Sequence, residues 1–312
     1  MIQKSQCIGN IVAMDLGSGY TKAVSDKARI IFPSLIAFRH AQSWEEHNDG
    51  LIEGIGESAL DVAKFPNAII IRPISEGRPE HDAFLKLSQE ALRRLKVDQV
   101  SLVSGLPFDM NKKDRERIKE TLKESLRLTQ IALFPQGLGT LFDLDLDDGI
   151  VLNCGHNTVE VLAIENLQIL TGSSLPLAND YILQTLTQFI LREYGFKPDE
   201  FALQNLVIGN INRISGMKTE VARKDIEKPL ENSVSLLADT IAHQTRSLLN
   251  QLPHSNLACL EHVILSGGGS LLRGFRQQLQ QALKMKVTVH PDPLFSNCLG
   301  FMKAGLKLWG QK

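Results

Sequence analysis

The sequence predicts an α/β protein made of two related halves, each with a mixed sheet flanked by helices. Three observations predict this fold class. Apolar strand-like segments alternate with amphipathic helical segments along the chain. A short strand, a glycine-bearing turn and a return strand occur together twice, beginning at Ile11 and at Ile150. Finally, 312 residues are more than one ordinary hydrophobic core accommodates, which favours two domains.

The first half is predicted to cover residues 1–143, with a small insert near residues 32–76. Short continuous apolar runs indicate buried strands, and apolar residues three or four apart indicate helices. The charged helix of this half has Asn111 as a plausible N-cap. In chain order, the predicted strands and helices are Ile11–Met14, Thr21–Val24, a strand-like stretch Ala28–Phe38, a short helix beginning with Gly56–Leu60, Glu80–Lys96, Val100–Val103, Asn111–Leu128, Gln130–Phe134 and Gly137–Phe142.

The second half is predicted to cover residues 144–296, with a polar insert near 197–227. The acidic, turn-rich run Asp143–Gly149 indicates the join between the halves. A last helix, about residues 297–312, is expected to pack back on the first half. The other predicted strands and helices are Ile150–Leu152, Val159–Ile164, Leu167–Leu170, Ala178–Tyr194, Leu230–Leu249, Val263–Leu265, Leu271–Leu283 and a short strand at Val287.

Composition describes an ordinary soluble protein, with 43% hydrophobic and 22% charged residues and a net charge of −1. This balance gives no support to a general nucleic-acid or membrane-surface binder. No apolar run is long enough to cross a bilayer, so the protein is not expected to be transmembrane. The four cysteines are scattered without a C-x-x-C pair, which favours a reduced, cytoplasmic setting. They are Cys7, Cys154, Cys259 and Cys298.

The first glycine-bearing turn carries groups that suit a polyphosphate. Gly17 and Gly19 allow the backbone to approach a phosphate closely, because a Cβ there would collide or require positive φ. Ser18 can donate to a phosphate oxygen, and Lys22 can reach the β- or γ-phosphate as a point charge. Asp15 can accept from the waters of a phosphate-bound magnesium ion. The alternative is a tight β-turn with a capping aspartate and a surface lysine.

The second turn repeats this pattern less completely. Gly155 again allows close approach, and Thr158 can donate a hydrogen bond. His156 and Asn157 stand where a loop around phosphates usually has glycine. Glu160, on the return strand, could orient a water molecule. An ordinary hairpin with Glu160 merely exposed on it remains the alternative.

The third glycine segment follows a buried strand and is predicted to precede a helix directly. Gly267, Gly268 and Gly269 leave room for a flat base and its sugar against bare backbone. Ser270 is a candidate cap for the helix. A flexible loop fits less well, because the predicted strand and helix confine the segment from both sides. No G-x-S-x-G or P-loop motif occurs, and the eight histidines are too dispersed to predict a zinc site.

These three segments, in this order, resemble the two phosphate loops and the adenosine loop of the actin superfamily. Leu133–Gly137, and Asn297 with Gly300, resemble its two interdomain connections, so the resemblance covers nearly the whole chain. The chain is most similar to prokaryotic actin-like filament proteins: ParM-type plasmid-segregation actins, MreB, MamK-like magnetosome proteins and small archaeal relatives. The segments that carry this narrower resemblance are Ile71–Pro73, Glu76–Gly77 and Val103–Pro107.

The resemblance implies an actin-like, ribonuclease H-like fold with ATP, or alternatively GTP, in the cleft between the halves. It implies that Asp15 holds Mg²⁺ through water and that Gln136 and Glu160 orient the attacking water, which makes these three the catalytic candidates. The nucleotide contacts that it implies are Gly17, Ser18, Gly19, Tyr20, Lys22, Gly155, His156, Asn157, Thr158, Gly267, Gly268 and Gly269.

One position departs from the family pattern. Asn153 stands where the family usually has an acidic residue facing the first-loop aspartate. An asparagine can still bind a metal-held water, but it removes a full charge, which implies slower ATP hydrolysis. The acidic residue that contacts ribose in the family, sought in Glu200–Leu206, is not assigned by the sequence.

The leading functional hypothesis is an ATPase that polymerises head to tail on ATP binding, for DNA or plasmid segregation or for intracellular organisation. Its partners would be copies of itself and an adaptor protein linking it to DNA or membrane, without direct sequence-specific nucleic-acid binding. One alternative is a non-hydrolysing scaffold of the same fold in a membrane or division complex. The other is a small-molecule kinase, for which no catalytic aspartate stands out.

Overall fold

The computed structural model describes residues 10–40, 51–75, 78–80, 82–257 and 260–310. The chain divides into two compact units. The first consists of the described residues up to Leu146 and from Phe295 onward, and the second is Asp147–Leu294. Each unit has its own hydrophobic core.

The first unit contains most of the short strands. Its strands are β1 (Asn10–Leu16), β2 (Tyr20–Val24), β3 (Arg29–Pro33), β4 (Ile36–His40), β5 (Leu51–Ile55), β6 (Ile69–Ile71), β7 (Ile74–Ser75), β8 (Arg78–Pro79), β9 (Val100–Leu106) and β10 (Gln130–Pro135). Its helices before Leu146 are α1 (Glu57–Val62), α2 (Ala83–Leu95), α3 (Lys112–Ser125) and α4 (Gln136–Leu144).

The second unit contains the longest helices. Its strands are β11 (Gly149–Cys154), β12 (Val159–Glu165), β13 (Gln168–Leu175), β14 (Arg213–Ser215), β15 (Glu220–Ala222), β16 (Val263–Ser266) and β17 (Val287–Val289). Its helices are α5 (Asn179–Tyr194), α6 (Glu200–Ile208), α7 (Glu227–Leu249), α8 (His254–Leu257) and α9 (Phe275–Leu283). A last helix, α10 (Ser296–Trp309), belongs to the first unit.

The main sheets of the two units have the same topology. The strand order is β3-β2-β1-β9-β10 in the first unit and β13-β12-β11-β16-β17 in the second. In each sheet the first three strands are antiparallel neighbours, and the last three run parallel. The predicted fold class, with two related halves and mixed sheets, is therefore confirmed.

The helices cover these sheets through the apolar stripes that the sequence predicts. In α2 the buried apolar residues recur at three- and four-residue spacing, as a helix against a sheet requires; they are Phe84, Leu87, Ala91 and Leu95. The predicted cap of α3 is confirmed, because the Asn111 side chain accepts a hydrogen bond from the Asp114 N–H at 2.9 Å. Among the described helices, none combines the length and apolar character that a bilayer crossing needs.

The region of the predicted first insert contains a separate small sheet, with strand order β5-β4-β6, and helix α1. Several residues that the sequence analysis names lie outside the described part of the chain. They are Cys7, Glu76, Gly77 and Cys259.

The stretch around residues 197–227, predicted as a polar insert, contains a helix that contributes to the second core. Leu203 and Leu206 on α6 are fully buried there. The Asp199 carboxylate caps this helix by accepting from the Ala202 N–H at 2.9 Å. The high charge of the stretch concealed a short apolar stripe that is only nine residues long.

The helix predicted at Leu271–Leu283 begins later than expected, at Phe275. A short 3₁₀ turn, Gly268–Leu271, follows β16 first, and Gly274 then adopts φ +80°. A residue at this φ cannot continue a right-handed helix. The third glycine segment therefore does not lie at the N-terminus of an α-helix, and Ser270 does not cap one. Its hydroxyl instead donates to the Gly267 carbonyl at 2.7 Å.

The two segments that resemble interdomain connections lie in or next to helices α4 and α10, which pack against each other within the first unit. The helices approach so closely that a Cβ on Gly300 would overlap the Gly139 carbonyl. Beside this contact, the Thr140 hydroxyl donates to Asn297 Oδ1 at 3.1 Å. Glycine at both positions allows this approach.

Candidate functional site

Loop 1, residues 15–22, is the turn between β1 and β2 with its flanking residues. The Gly17 N–H donates to the Tyr20 carbonyl at 3.2 Å. A Cβ on Gly17 would lie 2.8 Å from the same carbonyl, so the turn requires glycine at this position. Ser18 is buried, while Tyr20 is partly exposed. Loop 1 is therefore a tight turn at the carboxyl end of the central strand β1.

Ser34 supports loop 1 through hydrogen bonds. The sequence did not predict this role. Its hydroxyl donates to the Gly17 carbonyl at 2.6 Å and lies 2.9 Å from the Thr21 hydroxyl. Its N–H donates to the Gly19 carbonyl at 3.0 Å. Because Ser34 follows strand β3 in a strand-like run, nothing local in the sequence marks it as a support for a loop 15 residues away.

Asp15 and Lys22 face each other across the β1–β2 hairpin and form an ion pair. Lys22 Nζ donates to Asp15 Oδ2 at 3.0 Å, and the two side chains are only 13% and 7% exposed. Burial opposes the charged amine, but the charge of Asp15, the electrostatic contribution of Cys298 and the hydrogen bond that Lys22 donates to Asp15 outweigh it and raise the pKa of Lys22. Lys22 is therefore a cation held in place at the loop.

Loop 2, residues 153–160, has the same turn between β11 and β12. The Gly155 N–H donates to the Thr158 carbonyl at 2.9 Å, and a Cβ on Gly155 would lie 3.0 Å from that carbonyl. Asn153 and Glu160 are cross-strand partners here, in the positions that Asp15 and Lys22 occupy in loop 1. Glu160 is buried, at 5% exposure.

Loop 2 is held from the side by the helical layer of its own unit. The His156 carbonyl accepts from the Asp180 N–H, at the start of α5, at 2.8 Å. His156 Nε2 lies 3.6 Å from Glu200 Oε1, on α6. Glu200 is the first residue of the segment Glu200–Leu206, in which a ribose contact was expected. Its contact with His156 places it next to loop 2.

Loop 3, residues 266–270, packs directly against loop 2. Gly267 has φ +80°, and a Cβ there would overlap the Cys154 carbonyl. A Cβ on Gly269 would lie 2.7 Å from the Cys154 Cβ. The parallel pairing of β11 with β16 sets this contact, because it places Ser266 opposite Asn153, and the Ser266 hydroxyl donates to Asn153 Oδ1 at 3.4 Å.

Two amide oxygens near these loops are buried without a hydrogen-bond partner. They are Asn157 Oδ1, in loop 2, and Asn179 Oδ1, at the first residue of α5. Buried acceptors in folded proteins nearly always have a partner, so such atoms suit a site that is completed by a ligand. Asn179 was missed by the sequence analysis, in which it was only one residue of a predicted helix.

Gln136 is the first residue of α4 and directly follows β10. Strands β1, β9 and β10 are parallel, so Gln136 and Asp15 both lie at the carboxyl-terminal ends of these strands, on the same side of the sheet. A Cβ on Gly105, in the strand between them, would lie 2.8 Å from Gln136 Cγ. The first unit therefore places Asp15, Lys22 and Gln136 at one edge, and the second unit places loops 2 and 3 together.

The donor set at this edge suits a magnesium ion that keeps most of its waters. No group of three or more His, Cys, Asp or Glu side chains that could hold a metal directly occurs in the described residues. One Asp15 oxygen is engaged by Lys22. A single carboxylate next to a phosphate-binding loop is what hydrated, phosphate-bound Mg²⁺ requires of a protein.

Comparison with known proteins gives consistent matches over most of the chain. The family model described as MreB/Mbl protein matches residues 9–308. The cell shape-determining protein Mbl of Bacillus subtilis is 23% identical over 299 residues, covering 86% of each chain. The actin-like protein MamK of Paramagnetospirillum magneticum is 22% identical over 281 residues, covering 83% of this chain and 74% of MamK.

Solved structures show the same fold. The crystal structure of MreB5 of Spiroplasma citri bound to ADP has a TM-score of 0.78 at 16% identity, covering 96% of this chain and 97% of that one. The AMPPNP-bound structure of the same protein has the same TM-score and identity. The expected actin-like fold and the resemblance to prokaryotic actin-like proteins are therefore confirmed, and the chain belongs to the MreB/Mbl family.

Proposed function

We propose that this protein binds ATP through loops 1, 2 and 3 and assembles into filaments in its nucleotide-bound form. One observation carries the proposal: both units present the same glycine turn at the end of the same sheet strand. In each turn a Cβ on the glycine would crowd the carbonyl three residues later, so glycine keeps the turn tight and leaves bare backbone at that position. The related MreB5 of Spiroplasma citri has been crystallised with ADP and with AMPPNP, which supports a nucleotide as the ligand.

In this proposal the phosphates are bound by two sets of groups. Loop 1 supplies backbone N–H groups, the Ser18 hydroxyl and the Lys22 ammonium, with Gly17, Gly19 and Tyr20 forming the turn. Loop 2 supplies Gly155, His156, Asn157 and the Thr158 hydroxyl. Loop 3 receives the adenosine against Gly267, Gly268 and Gly269, of which Gly268 is the one where a Cβ would meet only ordinary van der Waals contacts. GTP would fit the same loops.

ATP hydrolysis would depend on groups that position water. Gln136 follows β10 and Glu160 lies on β12, and each can accept a hydrogen bond from a water molecule. Asp15 would accept from the waters of Mg²⁺, which neutralises phosphate charge when bound. Lys22 adds a fixed positive charge. Asn153 supplies a neutral amide where a carboxylate would help to bind the hydrated metal, so we expect slow turnover.

Filament formation is proposed from the family. The relatives are named a cell shape-determining protein and an actin-like protein, and neither name refers to DNA. We therefore propose intracellular organisation related to cell shape rather than plasmid segregation. The partners would be further copies of this chain, joined head to tail, and an adaptor protein that attaches the filament to its cellular target.

The test is sedimentation and electron microscopy of the purified protein with Mg²⁺-ATP, Mg²⁺-ADP and no nucleotide. We expect pelletable filaments with ATP and none without nucleotide. Lys22→Ala should lower ATP affinity and filament yield, whereas Lys119→Ala, which removes a lysine from the exposed face of α3, should leave both unchanged. Failure of calorimetry to detect ATP binding in the presence of Mg²⁺ would overturn the proposal.

The second candidate, a scaffold that binds ATP without hydrolysing it, is favoured by one observation. The position opposite Glu160 is Asn153, so loop 2 lacks one of the two carboxylates that the family pattern implies. Phosphate release distinguishes the candidates. Filaments with release of phosphate identify the ATPase, and ATP-dependent assembly with no release over many hours identifies the scaffold.

A further inference from the structure

Asn179, the first residue of helix α5, lies next to loop 3. Its Oδ1 lies 3.1 Å from the position of a Cβ on Gly269, and its Nδ2 lies 3.7 Å from that of Gly268. The next residue, Asp180, donates its N–H to the His156 carbonyl of loop 2 at 2.8 Å. The Asn179 amide thus lies next to the glycines of loop 3, one residue from a direct hydrogen bond to loop 2.

The acceptor of this amide is unpaired. Asn179 Oδ1 is buried and has no hydrogen-bond partner, although the side chain as a whole is partly exposed. The residue before it, Ala178, gives α5 no side-chain cap. An amide held against a bare backbone with an unpaired acceptor loses stability in the isolated protein, and a ligand that supplies a donor restores it.

The chemistry of the amide selects among the parts of a nucleotide. A carboxamide offers a donor and an acceptor side by side, and a hydroxyl group can serve both. A phosphate only accepts, so it would leave Oδ1 unpaired and repel it. Because loop 2 is proposed to bind phosphate and loop 3 to bind the base, the group that falls between them is the sugar.

We propose that Asn179 binds a ribose hydroxyl and makes the site specific for ribonucleotides over deoxyribonucleotides. This inference rests on the proposed binding of ATP at loops 2 and 3. It assigns the ribose contact to the start of α5 rather than to Glu200–Leu206, and Glu200 is instead near His156. Asn179 is a specificity-determining residue in this assignment, and it has no role in the hydrolytic step.

The experiment is calorimetric titration of the full chain, with Mg²⁺, by ATP, 2′-deoxyATP and 3′-deoxyATP. The wild type should bind ATP about tenfold more tightly than at least one deoxy analogue, because the missing hydroxyl leaves the amide unpaired. Asn179→Ala should bind ATP as weakly as that analogue while its affinity for the analogue stays unchanged. Asn179→Asp should keep the preference for ATP, because a carboxylate still accepts from a hydroxyl.

Asn232→Ala is the matched control, since it makes the same change on the exposed face of α7. It should leave all three affinities unchanged. Equal binding of the three nucleotides by the wild type, or an equal loss for all three in Asn179→Ala, would overturn the assignment and leave ATP binding intact. If none of the three nucleotides binds, both the proposed function and the assignment of Asn179 are overturned.

Discussion

The two units contain the same β-hairpin, but the cross-strand pair next to its turn carries different charges in each. In both, the glycine turn is closed by a bond from the glycine N–H to the carbonyl three residues later. Loop 1 pairs a carboxylate on its first strand with a cation on its return strand, Asp15 with Lys22. Loop 2 pairs a neutral amide with a carboxylate, Asn153 with Glu160. The shared backbone turn therefore does not determine which unit contributes which charge.

The two loops are also supported differently. Loop 1 depends partly on a side chain, because the Ser34 hydroxyl donates to the Gly17 carbonyl in addition to the backbone bond from the Ser34 N–H to the Gly19 carbonyl. Loop 2 is held by backbone, through the bond from the Asp180 N–H to the His156 carbonyl, and by the packing of loop 3 on Cys154. A side-chain support can be removed by one substitution, while a backbone support cannot. The loops should consequently differ in their sensitivity to mutation.

The largest effect is expected from Gly267→Ala, which breaks the packing of loop 3 on loop 2. The new Cβ would overlap the Cys154 carbonyl, and the backbone would be strained at φ +80°. We expect a loss of more than about 4 kcal/mol in the free energy of unfolding, or no folded second unit at all. Denaturant unfolding followed by circular dichroism measures it.

Gly274→Ala is the matched control for this prediction. Gly274 has the same φ of +80°, but a Cβ there would meet nothing within 4 Å. At ψ −14° Gly274 lies in the left-handed helical region, where a side chain costs about 1–2 kcal/mol, whereas Gly267, at ψ 172°, lies in a region that is essentially confined to glycine. Similar losses for the two variants would show that the contact between loops 2 and 3 is not tight.

Lys22→Met sharpens the comparison of the charge pairs. It leaves the buried Asp15 carboxylate without its cation, so we expect a loss of about 3 kcal/mol in the free energy of unfolding at pH 7. Asp15→Asn combined with Lys22→Met should recover most of it. In loop 2 the cross-strand partner of Glu160 is the neutral Asn153, so Glu160→Gln should lower the free energy of unfolding by less. An equal cost for Lys22→Met and Glu160→Gln would contradict the distinction between the pairs.

The same variant predicts a pH dependence. The fold raises the pKa of Lys22 above its ordinary value of 10.5, so the folded state holds this proton more tightly than the unfolded state. The stabilisation is complete below pH 10.5 and is lost as the pH rises through the raised pKa. The stability difference between the wild type and Lys22→Met should therefore narrow above pH 10.5 in urea titrations. A stability difference between the two proteins that stays constant up to pH 11.5 would contradict the raised pKa of Lys22.

Ser34→Ala tests the side-chain support of loop 1. It removes the hydroxyl that serves both Gly17 and Thr21 in a fully buried position, so we expect a loss of about 2 kcal/mol in the free energy of unfolding. Urea unfolding measures it, and Ser215→Ala, at an exposed strand position, should change it by less than about 0.5 kcal/mol. An unchanged midpoint for Ser34→Ala would mean that loop 1 holds its shape without this side chain.

Asn153→Asp makes loop 2 more acidic and has the smallest expected effect on stability. It places a carboxylate directly opposite Glu160, and like charges in cross-strand positions cost about 1 kcal/mol. Adding Glu160→Gln should remove that cost. If the neutral amide is the cause of slow turnover, phosphate release should rise in Asn153→Asp. An unchanged rate would show that Asn153 does not limit hydrolysis.

Much of the fold could be predicted because its signals are local. The hairpin strands, the Asn111 cap and the apolar stripe of α2 each depend on residues within a few positions of one another. The sequence did not reveal helix α6, and it placed the start of α9 too early. In α6 a nine-residue stripe was concealed by charge, and at α9 the positive φ of Gly274 delayed the helix. The nucleotide contacts and catalytic roles stay predictions, which the variants above test.

The sequence by itself determined the two glycine turns, their equal spacing from Asp15 to Lys22 and from Asn153 to Glu160, and the alternation of strands and helices. These features follow from backbone freedom and from local hydrophobic periodicity. Only the tertiary structure decided that Ser34 supports loop 1, that loop 3 packs on Cys154, and that Asn179 lies against the glycines. Those contacts join residues far apart in the chain, and the strand order of each sheet brings them together.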